Sequence, residues 1–263
     1  MLNSDKNKYP LISIITVVFN SKNLIEITIK SFLEQDYPNI EYILIDGVSN
    51  DGTIEKIKKY HNQITHFISE PDKGIYDAMN KGIFFANGDW INFLNAGDRF
   101  LSKHTISELV SNIKKTSDIV YGSVGIIYPN FCRIENPGNL KNLWRGMQFS
   151  HQSAFVKLRH YKENLFNLNN KIAADLGFFY KAYKKGLTFQ KINQNIAVVI
   201  TGGISESNRI ATILDSCNAV CSGRFCFSFR FYYGFRFLDE ITRLAIKNIL
   251  PTNVIMKIIL MKK

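Results

Sequence analysis

Four polar residues, Asn20, Asp46, Asp72 and Asp98, stand 26 residues apart. Each lies just beyond a short apolar run rich in β-branched residues, so each is expected past the carboxyl end of a strand. In open α/β sheets the ligand crevice lies outside those ends. Carboxylates and amides gathered there can accept hydrogen bonds from a ligand, hold a hard cation through oxygen, or take a proton from a hydroxyl. The plainer explanation is that loops attract Asn and Asp whatever their role. It serves for one residue better than for four in step. A fifth carboxylate, Asp175, opens the stretch ADLGFFYKAYKKG at 174–186, where a helix macrodipole alone would also favour an acid. His151 and Gln152 form a polar pair before the apolar run at 153–156.

The elements that must position these residues follow from periodicity. Residues 11–19 (LISIITVVF) read as a strand buried on both faces. Strands are expected at 40–45, 65–69 and 90–94. Helices are expected between them at 24–33, 53–60 and 75–86, the second capped by Asn50 or Asp51. This β-α-β-α-β-α-β order predicts a parallel sheet with right-handed crossovers. The 26-residue interval is the length of one βα unit, and no sequence repeat accompanies it. Beyond Asp98, strands are expected at 119–124, 125–128 and 153–156, a helix at 173–185 stopped by Gly186, and an extended segment at 187–200.

The 263 residues are 46% hydrophobic and 21% charged, enough to bury a core and too apolar for a disordered chain. One α/β domain at 1–209 with an appended segment at 210–263 is the expected organisation. Cys217, Cys221 and Cys226 cluster without CxxC spacing or a nearby His, so reduced thiols are expected rather than zinc. The first strand is not followed by GxGxxG, and P-loop, GxSxG and HExxH motifs are absent from the sequence.

Six segments in order resemble the family 2 glycosyltransferases of GT-A fold: SIITVVFN at 13–20, LIDGVSNDGT at 44–53, SEPDKGIYDAMNKGI at 69–83, ANGDWINFLNAGDRF at 86–100, HQSAFV at 151–156 and ADLGFFYKAYKKG at 174–186. The nearest subgroup acts in bacterial exopolysaccharide, capsule or O-antigen assembly. The resemblance implies a mostly parallel central sheet with flanking helices, and a nucleotide-sugar donor. Asp46 falls where the family binds the nucleotide base, although it could also cap the DGVSNDGT turn. Asp72 and Lys73 fall in the nucleoside pocket, Lys73 being equally readable as a solvated surface charge. Phe19 and Asn20 border that pocket, Phe19 against ribose or base or simply in the core.

Asn95-Ala96-Gly97-Asp98 takes the place of the family's DxD element, which implies Mg²⁺ or Mn²⁺ on Asp98, with Asn95 assisting. The sequence departs from the pattern at Asn95 and Gly97, which leaves a single carboxylate. Asp175 matches the family's catalytic base, and Ala174 stands where a Glu is usual. His151 would face the diphosphate or the acceptor, or serve a structural role. The expected function is inverting sugar transfer to a saccharide, lipid-linked in the fullest form of the reading. A non-catalytic sugar-nucleotide binder or assembly scaffold is the alternative.

The net charge of +11 is uneven. Residues 223–263 hold eight Lys/Arg against Asp239 and Glu240, interleaved with Phe and Tyr. Arg beside aromatics suits a headgroup layer, so an anionic membrane surface is the expected partner and nucleic acid is not. The same aromatics packed on the main core are the competing expectation. No run reaches the roughly 18 apolar residues of a spanning helix, and the first ten residues lack the apolar stretch of a signal peptide. A cytoplasmic enzyme held at the inner membrane face is therefore expected.

Overall fold

The computed structural model describes residues 9–128, 131–203, 207–221 and 227–249. Its first half follows the expected alternation. Strands β1 (Ile12–Val18), β2 (Ile40–Asp46), β3 (His66–Ser69) and β4 (Trp90–Phe93) are separated by helices α1 (Ile25–Leu33), α2 (Thr53–Lys58) and α3 (Ile75–Phe85). The second half adds β5 (Arg99–Phe100), α4 (Thr105–Asn112), β6 (Ile119–Tyr128), β7 (Phe131–Glu135), a 3-10 helix (Leu140–Arg145), a 3-10 turn (His151–Ser153), β8 (Ala154–Lys157), α5 (Leu158–Glu163), α6 (Ala174–Lys184) and β9 (Phe189–Ile200). Two helices follow, α7 (Arg209–Cys221) and α8 (Phe227–Ile249).

The strands form one sheet in the order β3-β2-β1-β4-β8-β6-β9-β5, with β7 paired to β6. It is parallel from β3 through β4. Beyond β4 it is mixed: β8 runs antiparallel to β4 and β6, while β6 and β9 run parallel to each other. The parallel order expected for the βα half is thus observed, and the whole sheet is mixed beyond it. Hydrophobic periodicity reports which residues are buried and says nothing of strand direction. Past the last βα unit, direction is set by long-range pairing.

All seven residues of β1 are buried, because helices cover both faces of the sheet. Ile15 and Val17 point into one core with Met79 and Ile83 of α3 and Phe178 and Phe179 of α6. Ile12, Ile14 and Val18 point into the other with Ile25 and Ile29 of α1 and Ile57 of α2. Neither Asn50 nor Asp51 takes the N-cap of α2: Gly52 does, with φ +96°, and Asp51 just before it accepts from the Thr53 N–H at 3.0 Å.

Past residue 209 the described residues, 210–221 and 227–249, are helical, which the Arg-aromatic alternation concealed. Ile213, Ala219, Val220 and Cys221 of α7 and Tyr233 of α8 are buried in the core shared with α3 and α6. The expected boundary at 209/210 falls at the first turn of α7, and α7 packs as part of the main body. The aromatics of α8 divide. Tyr233, Tyr232, Phe229 and Phe237 pack inward; Phe227, Phe231 and Phe235 face solvent. Arg224, Phe225, Cys226 and residues 250–263 lie outside the described residues, while Cys132, Cys217 and Cys221 are free thiols. Among the described residues, no helix is long and apolar enough to cross a membrane.

One close approach sets how α3 lies on the sheet. A Cβ at Gly82 would stand 2.5 Å from Cγ2 of Ile15, a branched side chain with little freedom to move. Gly82→Ala is expected to destabilise the fold by roughly 1–3 kcal/mol, a melting shift of several degrees at this chain length. Unchanged melting in calorimetry would mean that α3 can shift away from β1 at no cost.

Candidate active site

The carboxyl edge of the sheet opens into a cleft of about 1380 Å³. That exceeds the roughly 300–1,000 Å³ usual for one small ligand and leaves room for two substrates. Phe19, Asp72, Asn95, Asp98, His151 and Asp175 line it.

Asp98 ends a tight turn after β4. Its N–H donates to the Asn95 carbonyl at 2.9 Å, and Gly97 holds φ +99°. That angle suits glycine at the third turn position, which accounts for the Gly where the family pattern has an acid. Buried Thr28 of α1 clamps the turn: its Oγ1 accepts from Gly97 N–H at 2.9 Å and donates to the Asp98 carbonyl at 2.7 Å. The Asp98 carboxylate accepts from Gln152 Nε2 at 2.9 Å. Gln152 is itself pinned, since buried Asn92 of β4 donates to its carbonyl at 2.9 Å. Burial pushes the Asp98 carboxyl up to about 6, against the lowering pull of Gln152 and His151.

Asp175 sits in the first turn of α6, 9% exposed. Tyr76 of α3 donates to its Oδ1 at 2.9 Å, and the Leu176 N–H donates to the same oxygen at 2.8 Å. Oδ2 lies 3.2 Å from His151 Nδ1. Burial alone would raise this carboxyl, but the His151 contact and the two donors outweigh it and hold it below its ordinary value. The other imidazole nitrogen, Nε2, lies 3.3 Å from Asn95 Nδ2. An amide N–H aimed at Nε2 leaves Nδ1 as the donor toward Asp175. Asp175, His151 and Asn95 thus form a continuous polar chain that ends at the Asp98 turn.

The remaining expected residues are placed differently. Asp46 is fully buried at the end of β2; its Oδ2 accepts from Ser49 N–H at 3.0 Å and Ser69 Oγ at 2.7 Å. Its Oδ1 is buried with no hydrogen-bond partner. Asn20 is exposed, with φ +45°, and braces the loop after β2: its N–H donates to Ser49 Oγ at 2.8 Å and its Oδ1 accepts from Asn50 N–H at 2.9 Å. In that loop Val48 holds φ +64°, an uncommon conformation for a β-branched residue. Lys73 is exposed and outside the cleft lining; its N–H donates to Asp77 Oδ2 at 2.9 Å, at the start of α3. Phe19 is 62% exposed, so it is a cleft residue rather than a core one. Asp72 and Phe19 meet over Gly47, where a Cβ would lie 2.6 Å from Asp72 Oδ2.

Two oxygens suit a divalent cation by chemistry: the Asp98 carboxylate and Asn95 Oδ1, which is buried without a partner. One carboxylate with substrate phosphates is a normal Mg²⁺ donor set. Among the described residues no cluster of three or more His, Cys, Asp or Glu could hold a metal by itself.

Single-residue reading passed over three supports. Tyr76 lies inside the SEPDKGIYDAMNKGI segment, and Gln152 is the neighbour of His151. Asp215 of α7 accepts from Ile172 N–H at 2.7 Å and Ala173 N–H at 2.9 Å, capping α6 just before Asp175. The first two sit in quoted motifs, whereas nothing in the sequence links Asp215 to a helix start some forty residues earlier.

Asp98 gives a test of this environment. Its folded-state value of about 6 lies above the ordinary 3.8, so the folded protein binds the proton more tightly than the unfolded chain. The stability Asp98 contributes is full below about pH 4 and lost as pH rises through 6. Asp98→Asn is therefore expected to be more stable than wild type at pH 7.5, by about 3 kcal/mol, with the gap closing toward pH 4. A pH-independent difference in thermal melts would remove buried charge as the cause.

Comparison with known proteins agrees with this architecture. The family described as Glycosyl transferase family 2 matches residues 13–201. An uncharacterized glycosyltransferase of Mycobacterium tuberculosis is 32% identical over 180 residues, 66% of this chain and 69% of its own. A GalNAc(5)-diNAcBac-PP-undecaprenol beta-1,3-glucosyltransferase of Campylobacter jejuni is 29% identical over 69% of this chain and 54% of its own. Among solved structures, S. aureus TarS 1-349 in complex with UDP superposes with a TM-score of 0.63 at 17% identity, over 92% of this chain and 76% of that one. A mannosyltransferase from Pyrobaculum calidifontis in complex with GDP-Man and Mn²⁺ gives 0.62 at 18%, over 87% of this chain and 69% of that one. The fold is of the GT-A type, and the chain belongs to glycosyl transferase family 2.

Proposed function

We propose that this glycosyltransferase works by inversion, passing a sugar from a nucleotide-diphosphate donor to a hydroxyl of a lipid-linked saccharide. The observation that carries the reading is Asp175: a carboxylate held ionised in the same cleft as Asp98 and linked to its turn through His151 and Asn95. In the reaction the acceptor oxygen bonds to the anomeric carbon. The bond from that carbon to the diphosphate oxygen breaks, and its electron pair leaves with the nucleotide. Asp175 takes the acceptor's proton as attack proceeds. His151, fixed by Asp175 and Asn95, orients the carboxylate. Asp46, with an unused buried oxygen, and Asp72 with Phe19 would receive the base and ribose. Asp98 and Asn95 would hold Mg²⁺ or Mn²⁺, which supplies counter-charge for the diphosphate.

The comparisons support these choices indirectly. TarS structures carry UDP and UDP-GlcNAc, and the Pyrobaculum enzyme carries GDP-Man with Mn²⁺. The name of the Campylobacter relative includes a PP-undecaprenol carrier. A lipid-linked acceptor lies at a membrane, and α8 has a face to match. Phe227, Phe231, Phe235, Leu238 and Ile241 follow i, i+4, i+3 spacing and are all solvent-exposed. Such a stripe on a basic helix suits an anionic interface.

Asp175→Asn is expected to lower kcat at least a hundredfold, the lower bound for general base catalysis, while nucleotide affinity stays within about threefold. A variant retaining a tenth of wild-type turnover would take the base role from Asp175. For the membrane, full-length protein is expected to float with phosphatidylglycerol vesicles, and Phe231→Ser with Phe235→Ser to release it without lowering the melting temperature. Protein that stays off the vesicles at low salt ends that part of the reading.

A further inference from the structure

We infer that Arg145 and Arg236 form a second anion site, which takes a phosphate or diphosphate group of the acceptor. The inference rests on the glycosyltransferase reading above. Both side chains line the cleft that holds Asp98 and Asp175, as does Lys171. Phe19 and Asp72, which follow β1 and β3, line the same cleft. Arg145 ends the 3-10 helix Leu140–Arg145, which packs against α6, and Arg236 lies on α8.

Two contacts from α8 fix this corner. Tyr233 donates to the Trp144 carbonyl at 3.0 Å, and Arg236 Nη1 donates to the Arg145 carbonyl at 3.2 Å. The Arg145 guanidinium lies over the rings of Trp144 and Tyr232, its Cζ 4.8 Å and 5.6 Å from their centroids. Stacking covers a guanidinium's face and leaves its N–H edge for a ligand.

The charge balance of this corner points the same way. Among the described residues, neither Arg145 nor Arg236 has a carboxylate partner, and the Arg145 side chain makes no hydrogen bond. The acids of α8 are engaged elsewhere: Asp239 with Arg243 at 3.0 Å and Glu240 with Arg209 at 3.6 Å. Arg236 Nη1 stands 3.2 Å from the Arg145 backbone, so two cations share this corner without an acid, and an anion bound there would offset their repulsion. A neutral sugar ring calls for hydroxyl and amide partners instead. A diphosphate on the acceptor matches two forks, and α8 offers it from the inward side of the helix whose outward face carries the apolar stripe.

The test is calorimetric titration of the full chain with geranyl diphosphate, with the donor site first filled by UDP or GDP, whichever stabilises wild type in a thermal melt. Arg145→Gln and Arg236→Gln are each expected to weaken geranyl diphosphate binding about tenfold, one charge-assisted contact's worth. Nucleotide affinity should stay unchanged, and Arg236→Lys should recover part of the loss. The two variants lie on different elements, so a loss shared by both at unchanged melting temperature is not misfolding. Equal affinity in wild type and both variants overturns the inference. So does a parallel fall in nucleotide affinity, which would assign the arginines to the donor. Loss of phosphatidylglycerol vesicle binding with geranyl diphosphate affinity intact would assign them to lipid headgroups and overturns it too. Failure of wild type to bind any nucleotide would instead strike the glycosyltransferase reading itself.

Discussion

Carboxylates taken out of water at the edge of a sheet must be solvated by the protein, and this constraint organises the structure. Asp46, Asp98 and Asp175 are all buried. Their partners come from distant parts of the chain: Ser69 of β3 for Asp46, Gln152 for Asp98, Tyr76 of α3 and His151 for Asp175. Each hydrogen bond therefore ties two elements as well as stabilising a charge. An unmade bond at such a site costs about 1–3 kcal/mol, more when the group is charged. The strand ends, the start of α3, the HQS turn and the start of α6 are held in mutual register by that penalty.

The three carboxylates are solvated unequally, and the inequality separates their chemistry. Asp175 has donors on both oxygens and is held ionised. Asp98 has burial as its dominant influence and is pushed up to about 6, so a cation beside it would relieve a real electrostatic cost. Asp46 keeps one buried oxygen without a partner. The nearby left-handed angles at Asn20 and Val48 show a loop held in an uncommon shape by cross-links to Ser49 and Asn50. Strain of this kind is sustained only where surrounding contacts over-determine it.

The appended helices complete the cleft rather than merely following it. α7 supplies Asp215 to the start of α6, and α8 latches the 3-10 helix that carries Arg145. The same α8 turns an apolar face outward. One helix thus carries a cleft wall on one side and an exposed apolar stripe on the other.

The sequence by itself determined the βα half. Its apolar runs are short, β-branched and evenly spaced, so the strands, the intervening helices and the polar residue after each strand were all legible. Asp98, Asp175, His151, Asp72 and Phe19 were recognisable as a set and do share one cleft. Tertiary structure decided the rest. Pairing direction beyond β4 depends on partners far apart in sequence, which periodicity does not encode. The tail's alternating Arg and aromatics concealed a helix, because only packing shows which aromatics go inward. The acidic spacing did not reveal that Asn20 braces a loop or that Lys73 lies outside the cleft lining. Asp215 capping α6, and Arg145 beside Arg236, are juxtapositions across 42 and 91 residues of chain. Local sequence cannot specify such contacts, because they form only when the whole core closes.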